Sequence, residues 1–202
     1  MPRRVYVSSV RAAAAAEKRD RVIEAAARSL RQDASIANFS LDTVAKAAGV
    51  TRLTVYNQFG SRRGLLEAVF DEIARQGGLT KIADAMAMPD PHAALDRLVE
   101  IFCGFWNRDR AVGRLHEAMA TDPEFGEALI ERNERRRKGI DILVGRIAGK
   151  AASPRARQDA VDMIFALTSF AMFAMLRRDR SVDDVCKLVK SACRAALDQL
   201  SR

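Results

Sequence analysis

Arg52, Asn57 and Gln58 fall within one seven-residue stretch, and each has the geometry to read a base pair from the major groove. A guanidinium matches guanine O6 and N7, and a carboxamide matches adenine N6 and N7. Together with Leu53 these positions are expected at base edges, the alternative for each being an exposed side chain that touches phosphate alone. Thr51 and Thr54 stand one helical turn apart and offer hydroxyls and free N–H groups to phosphate, helped by the positive end of a helix. Tyr56 adds a phenol donor on an apolar ring, suited to the DNA backbone or to half-buried packing. Arg62 is expected to hold a phosphate, and Arg63 either to do the same or to be solvated. From Thr43 to Leu66 there is no Asp or Glu, so this surface meets phosphates without acidic repulsion.

Two short helices must position these groups. Leu41 to Ala48 places Leu41, Val44, Ala45 and Ala48 inward behind Ser40, an N-cap counted with the DNA-facing residues. Thr51 caps the next helix, to Gln58, and Gly49-Val50 between them supplies a turn where positive φ is free of a Cβ clash. Upstream, the Ala12 to Ala16 run favours a helix whose Ile23, Ala26, Ala27 and Leu30 form one stripe. Downstream, Ser61 opens a fourth helix with Leu65, Leu66, Val69, Phe70 and Ile73 on one face, ending at Gly77-Gly78. Phe59 is expected to close this small domain from within. Residues 1–10 lack helical period and read as a flexible arm.

The segment Ser40 to Leu66 resembles the helix-turn-helix of the TetR family of bacterial transcriptional repressors. Ser40, Val44, Ala45, Ala48-Gly49-Val50-Thr51, Thr54, Val55, Tyr56, Phe59, Gly60-Ser61-Arg62 and Leu65-Leu66 carry the likeness. The resemblance implies a regulator that binds a palindromic double-stranded DNA operator as a homodimer and is released by a small effector. It also implies that Tyr56 holds the DNA backbone and that Arg62 replaces the family's usual lysine. Asn57 departs from the family, which carries a ring or a longer side chain there.

The organisation expected is all-α: a helix-turn-helix domain over 11–60, a connecting helix over 61–78 and a helical effector-binding and dimerisation domain over 79–202. Asp90-Pro91, Asp122-Pro123 and Ser153-Pro154 are helix starts, and Ser181 opens the last helix. Met163 to Leu176 is apolar nearly all round and too short to span a bilayer. Val182, Val185, Val189, Ala192, Cys193 and Ala196 share one face of the last helix and are expected to pair with a second copy as a four-helix bundle. The resemblance implies an effector cavity, and Phe102, Phe105, Trp106, His116, Met119, Phe125, Phe165, Phe170, Met172 and Phe173 are soft groups suited to an apolar ligand or to an ordinary core.

Of 202 residues, 34 are Lys or Arg and 26 Asp or Glu, a net charge of +8. The 78 residues up to Gly78 hold 13 basic against 8 acidic residues, so the excess leans toward the N-terminal part of the chain. Three cysteines without a C-x-x-C pair point away from a disulfide framework or zinc site, and a cytoplasmic home is expected. With only His92 and His116 and no nucleotide-loop, nucleophile-elbow or zincin motif, neither an enzyme, a cofactor nor a metal is expected. An effector-free helix-turn-helix dimer stays as the alternative.

Overall fold

The computed structural model describes residues 3–32, 36–149 and 152–201. In chain order the helices are α1 Arg3–Gln32, α2 Leu41–Ala48, α3 Arg52–Phe59, α4 Arg62–Gln76, α5 Ile82–Met86, α6 Pro91–Arg108, α7 Ala111–Thr121, α8 Pro123–Ala148, α9 Pro154–Leu167, α10 Phe170–Leu176 and α11 Val182–Asp198. No strand occurs among the described residues, so the expected all-α class is what the chain forms. The caps follow from hydroxyl and carboxylate chemistry. Ser40, Thr51, Ser153, Ser169 and Ser181 each accept from a backbone N–H in the first turn of the helix they open, and Asp90 does so ahead of Pro91.

Two compact units result, one of 1–73 with 110–127, the other of 74–109 with 128–202. The first differs from the expected division because α7 belongs to it. Ala111, Val112, Leu115 and Ala118 form a buried stripe on α7, which packs with α1 and the 3-10 turn at Ile36–Asn38. On α1 the matching buried groups are Val22, Ile23, Ala26 and Leu30. That stripe is longer than α2 alone covers, and periodicity cannot say which helix supplies the remainder. A second difference lies at the N-terminus. The helix starts at Arg3, so residues 3–10 of the expected arm are helical, consistent with propagation from the Ala12 to Ala16 run; Met1 and Pro2 lie outside the described residues.

In the second unit, α6, α8, α9 and α11 bury a core that includes Leu95, Val99, Phe102, Leu143, Ile164 and Val189. The apolar stretch Met163 to Leu176 is not one helix. It breaks after Leu167, and α9 and α10 bend by 57°. Thr168 is buried and turns its hydroxyl back to the Ile164 carbonyl at 2.8 Å, while Ser169 caps α10. No single described helix is long and apolar enough to cross a membrane.

The face assigned to pairing needs correction. Val185, Val189, Cys193 and Ala196 are buried in the chain's own core, Val182 packs against its edge, and Ala192 is half-buried. The periodicity located an apolar stripe, but the same pattern serves a partner within the chain and one outside it. The large apolar side chains that remain exposed on α9, α10 and α11 are Met163, Met175 and Leu188.

Phe59 is also corrected. It is half-buried with the Arg19 guanidinium 4.7 Å over its ring, whereas Phe39, at 3% exposure, is sealed inside the first unit. Phe39→Ala is therefore expected to cost about 3–5 kcal/mol, and Phe59→Ala clearly less. Urea unfolding of both variants checks this; equal losses would contradict the burial order.

Candidate nucleic-acid interface

The interface is assembled around α2 and α3. Gly49 ends α2 at φ 66°, and the Val50 N–H returns to the Ala45 carbonyl at 3.0 Å, turning the chain within two residues. Thr51 then stands at the N-terminus of α3. Its Oγ accepts from the Thr54 N–H at 3.1 Å and lies 2.9 Å from the Thr54 hydroxyl, so the two threonines are pre-positioned at the positive helix end. Ser40 forms a capping box with Thr43 at the start of α2.

Val55 is the buried side chain of α3. The opposite side is open, with Leu53 at 66% and Tyr56 at 55% exposure, and Arg52 and Asn57 also exposed. Large apolar and aromatic groups left in water on a capped helix mark a surface that meets something. Arg52 is only loosely held by Asp42, 3.6 Å away with both side chains mostly exposed. It can exchange that carboxylate for a stronger acceptor.

Three residues expected at the DNA face are engaged elsewhere. Gln58 is half-buried and donates from Nε2 to the Ala15 carbonyl of α1 at 3.5 Å, while its Oε1 is buried without a partner. It faces α1 rather than a base. Arg62 is a tie inside the first unit: Nη1 pairs with Asp122 at 2.9 Å, Nε donates to the Phe39 carbonyl at 3.1 Å and Nη2 to the Ile36 carbonyl at 3.4 Å. A five-donor fork on three acceptors leaves little for phosphate. Arg63 pairs with Glu67 at 2.6 Å on its own helix. Sequence alone shows Arg62 beside a helix start, and its partner lies sixty residues further on.

A Cβ on Gly64 would stand 2.0 Å from the Phe59 carbonyl oxygen, so glycine lets α4 cross the end of α3.

The groups considered for an effector do not gather in one unit. His116, Met119 and Phe125 fall in the first; His116 donates from Nδ1 to the Val112 carbonyl of its own helix at 2.9 Å, and Phe125 is buried. Phe102, Phe105, Trp106, Phe165, Phe170, Met172 and Phe173 fall in the second. There the Trp106 ring lies 6.0 Å from Phe102, 4.7 Å from Phe105 and 5.8 Å from Phe170, and its Nε1 donates to the Thr168 carbonyl at 3.1 Å. A cavity beside them, walled by Val99, Phe102, Cys103, Trp106, Thr168 and Phe173 among others, has about 10 Å³ of free space, enough for one water. Sequence reasoning missed Arg136, which enters this cluster from the run Glu134 to Lys138, a pattern that reads as a solvated charged face. Among the described residues no group of His, Cys, Asp or Glu side chains could hold a metal ion.

A helix-turn-helix with an open, capped second helix on an all-α scaffold has the geometry of a DNA-reading module. Residues 23–69 match the profile described as bacterial regulatory proteins, tetR family. It is 32% identical over 114 residues to the HTH-type transcriptional regulator EthR of Mycolicibacterium smegmatis, the match covering 55% of this chain and 52% of that protein. The chain thus matches about half the length of these curated relatives. The fold extends further: a transcriptional regulator from Rhodococcus sp. Rha1 superposes with TM-score 0.69 at 13% identity, covering 91% of this chain and 98% of that one. The multidrug binding protein EbrR, solved with imidazole, gives TM-score 0.59 at 22% identity, covering 87% and 89%.

If Arg62 is a tie and not a phosphate clamp, Arg62→Met and Asp122→Asn should each destabilise the protein, and the double variant should lose less than their sum. A coupling on the order of 1–2 kcal/mol is expected from a thermodynamic cycle by urea unfolding; strict additivity would return Arg62 to the DNA face.

Proposed function

We propose that this protein is a TetR-type transcriptional repressor that binds a palindromic operator as a homodimer and is released by a small, mostly apolar effector taken up by its second unit. The observation that carries the DNA-binding mode is the open side of α3, where Arg52, Leu53, Tyr56 and Asn57 face water while Val55 anchors the helix. In this mode Thr51, Thr54 and Tyr56 set the position on phosphates, Ser40 marks the start of α2 beside them, and Arg52 and Asn57 read bases. Gel shift with the DNA upstream of the protein's own gene tests the reading. Tyr56→Phe is expected to weaken binding to all sequences alike, whereas Asn57→Ala changes discrimination at one base pair. The reverse pattern would exchange their roles.

Two recognition helices must reach successive major grooves about 34–36 Å apart, or a multiple of that spacing, which calls for a dimer. The exposed Met163, Met175 and Leu188 support pairing through the outer side of α9, α10 and α11. Leu188→Glu is expected to give folded monomers with weak operator binding, and Val185→Glu to unfold the second unit, since Val185 is fully buried. Sedimentation with circular dichroism separates these outcomes; a Leu188→Glu protein that stays dimeric places the interface elsewhere.

An effector acts only through unequal affinity for the DNA-competent and incompetent states. The second reading, an effector-free dimer, draws support from the small free volume beside Trp106. Loss of operator binding on adding a ligand that raises the melting temperature favours the effector reading.

A further inference from the structure

Arg136 is the cation of the second unit whose surroundings do not account for it. Among the described residues it has no carboxylate partner: Nη1 donates to the Phe165 carbonyl at 3.0 Å and to the Thr168 hydroxyl at 2.6 Å, and no other hydrogen bond is made. Its Nε is out of contact with water and lacks an acceptor. Aromatic rings cover the guanidinium, Phe165 at 4.1 Å and Phe102 at 5.6 Å. Burial, aided by neighbouring Arg137, lowers its pKa to about 10. Arg137 itself is spoken for by Asp162 and Glu134.

The division of labour within this one side chain is informative. A guanidinium has two donor edges, each able to grip a carboxylate with two parallel N–H···O bonds, and with Nη1 engaged the edge left is the one formed by Nε and Nη2. Nη1, outside that edge, ties down the end of α9. A merely structural arginine needs only the Nη1 contacts, which account for the helix terminus but not for a desolvated Nε. Phe102 and Thr168, which touch the guanidinium, also line the small cavity bordered by Trp106 and Phe173. The guanidinium and the apolar wall of the cavity thus share two residues, Phe102 and Thr168.

We infer that the second unit binds a carboxylic acid with a hydrophobic body, its carboxylate on the Nε–Nη2 edge of Arg136 and its body against Phe102, Trp106 and Phe170. This rests on the reading of the second unit as an effector domain and gives that effector a charge and a point of attachment. The present free space holds about one water, so the body enters as α10 gives way at the Thr168-Ser169 break. The seven residues of α10 form the shortest wall of the site apart from the break itself.

The test uses matched pairs, decanoate with 1-decanol and 2-naphthoate with 2-naphthol, on the full chain by calorimetry and thermal shift, with sodium sulfate as a bare-anion control. At least one acid is expected to bind roughly 10- to 100-fold more tightly than its alcohol, the range for a bidentate charge-assisted contact. Arg136→Gln should abolish that preference, bringing acid binding down to the level of the alcohol. The comparison within the unaltered protein stands even if the variant fails to fold. Equal binding of acid and alcohol, no binding of either acid, or a shift with sulfate as large as with the acids would overturn the inference. Operator binding is not read in this experiment, so acid binding without an effect on gel shift would keep the site and reject only its role as a switch.

Discussion

The reading helix is held from outside. Val55 is the one side chain that α3 buries, and an eight-residue helix has little stability of its own in water. Its placement depends on the turn at Gly49, the Thr51 cap, the close crossing at Gly64 and the contacts that Gln58 and Phe59 make with α1. This arrangement frees most of the helix surface for recognition. It also makes the orientation of α3 a property of α1, because a helix with so small a buried face follows the surface on which it rests.

Arg62 and Arg136 show two uses of a partly desolvated guanidinium. At Arg62 all three kinds of nitrogen find acceptors, and the charge is balanced by Asp122, so the residue fixes the junction of α4, the 3-10 turn and the start of α8. At Arg136 one nitrogen is engaged and the charge is unbalanced among the described residues. The first is a structural tie whose removal strands a carboxylate; the second retains binding capacity.

Local signals made the reading segment legible. Ser40, Gly49, Thr51 and the apolar spacing of Val44, Ala45 and Val55 act within a turn or two of the chain, so the helix boundaries followed from them. What escaped was decided by distant partners: Asp122 for Arg62, Ala15 for Gln58, α1 for α7, and the chain's own core for Val185 and Val189. The break at Thr168 was hidden for a different reason. An apolar run gives no period to interrupt, and only the buried hydroxyl and the cap at Ser169 distinguish two helices from one.

The first unit is written in two pieces of sequence, 1–73 and 110–127, with part of the second unit between them. During synthesis α1 to α4 emerge well before α7, and the buried stripe of α1 stays incompletely covered until Leu115 and its neighbours leave the ribosome. The reading module is thus not a detachable cassette. Exchanging residues 1–78 between regulators would separate α1 from its evolved cover, so specificity can be re-engineered more safely on the open side of α3 than by swapping the whole N-terminal segment.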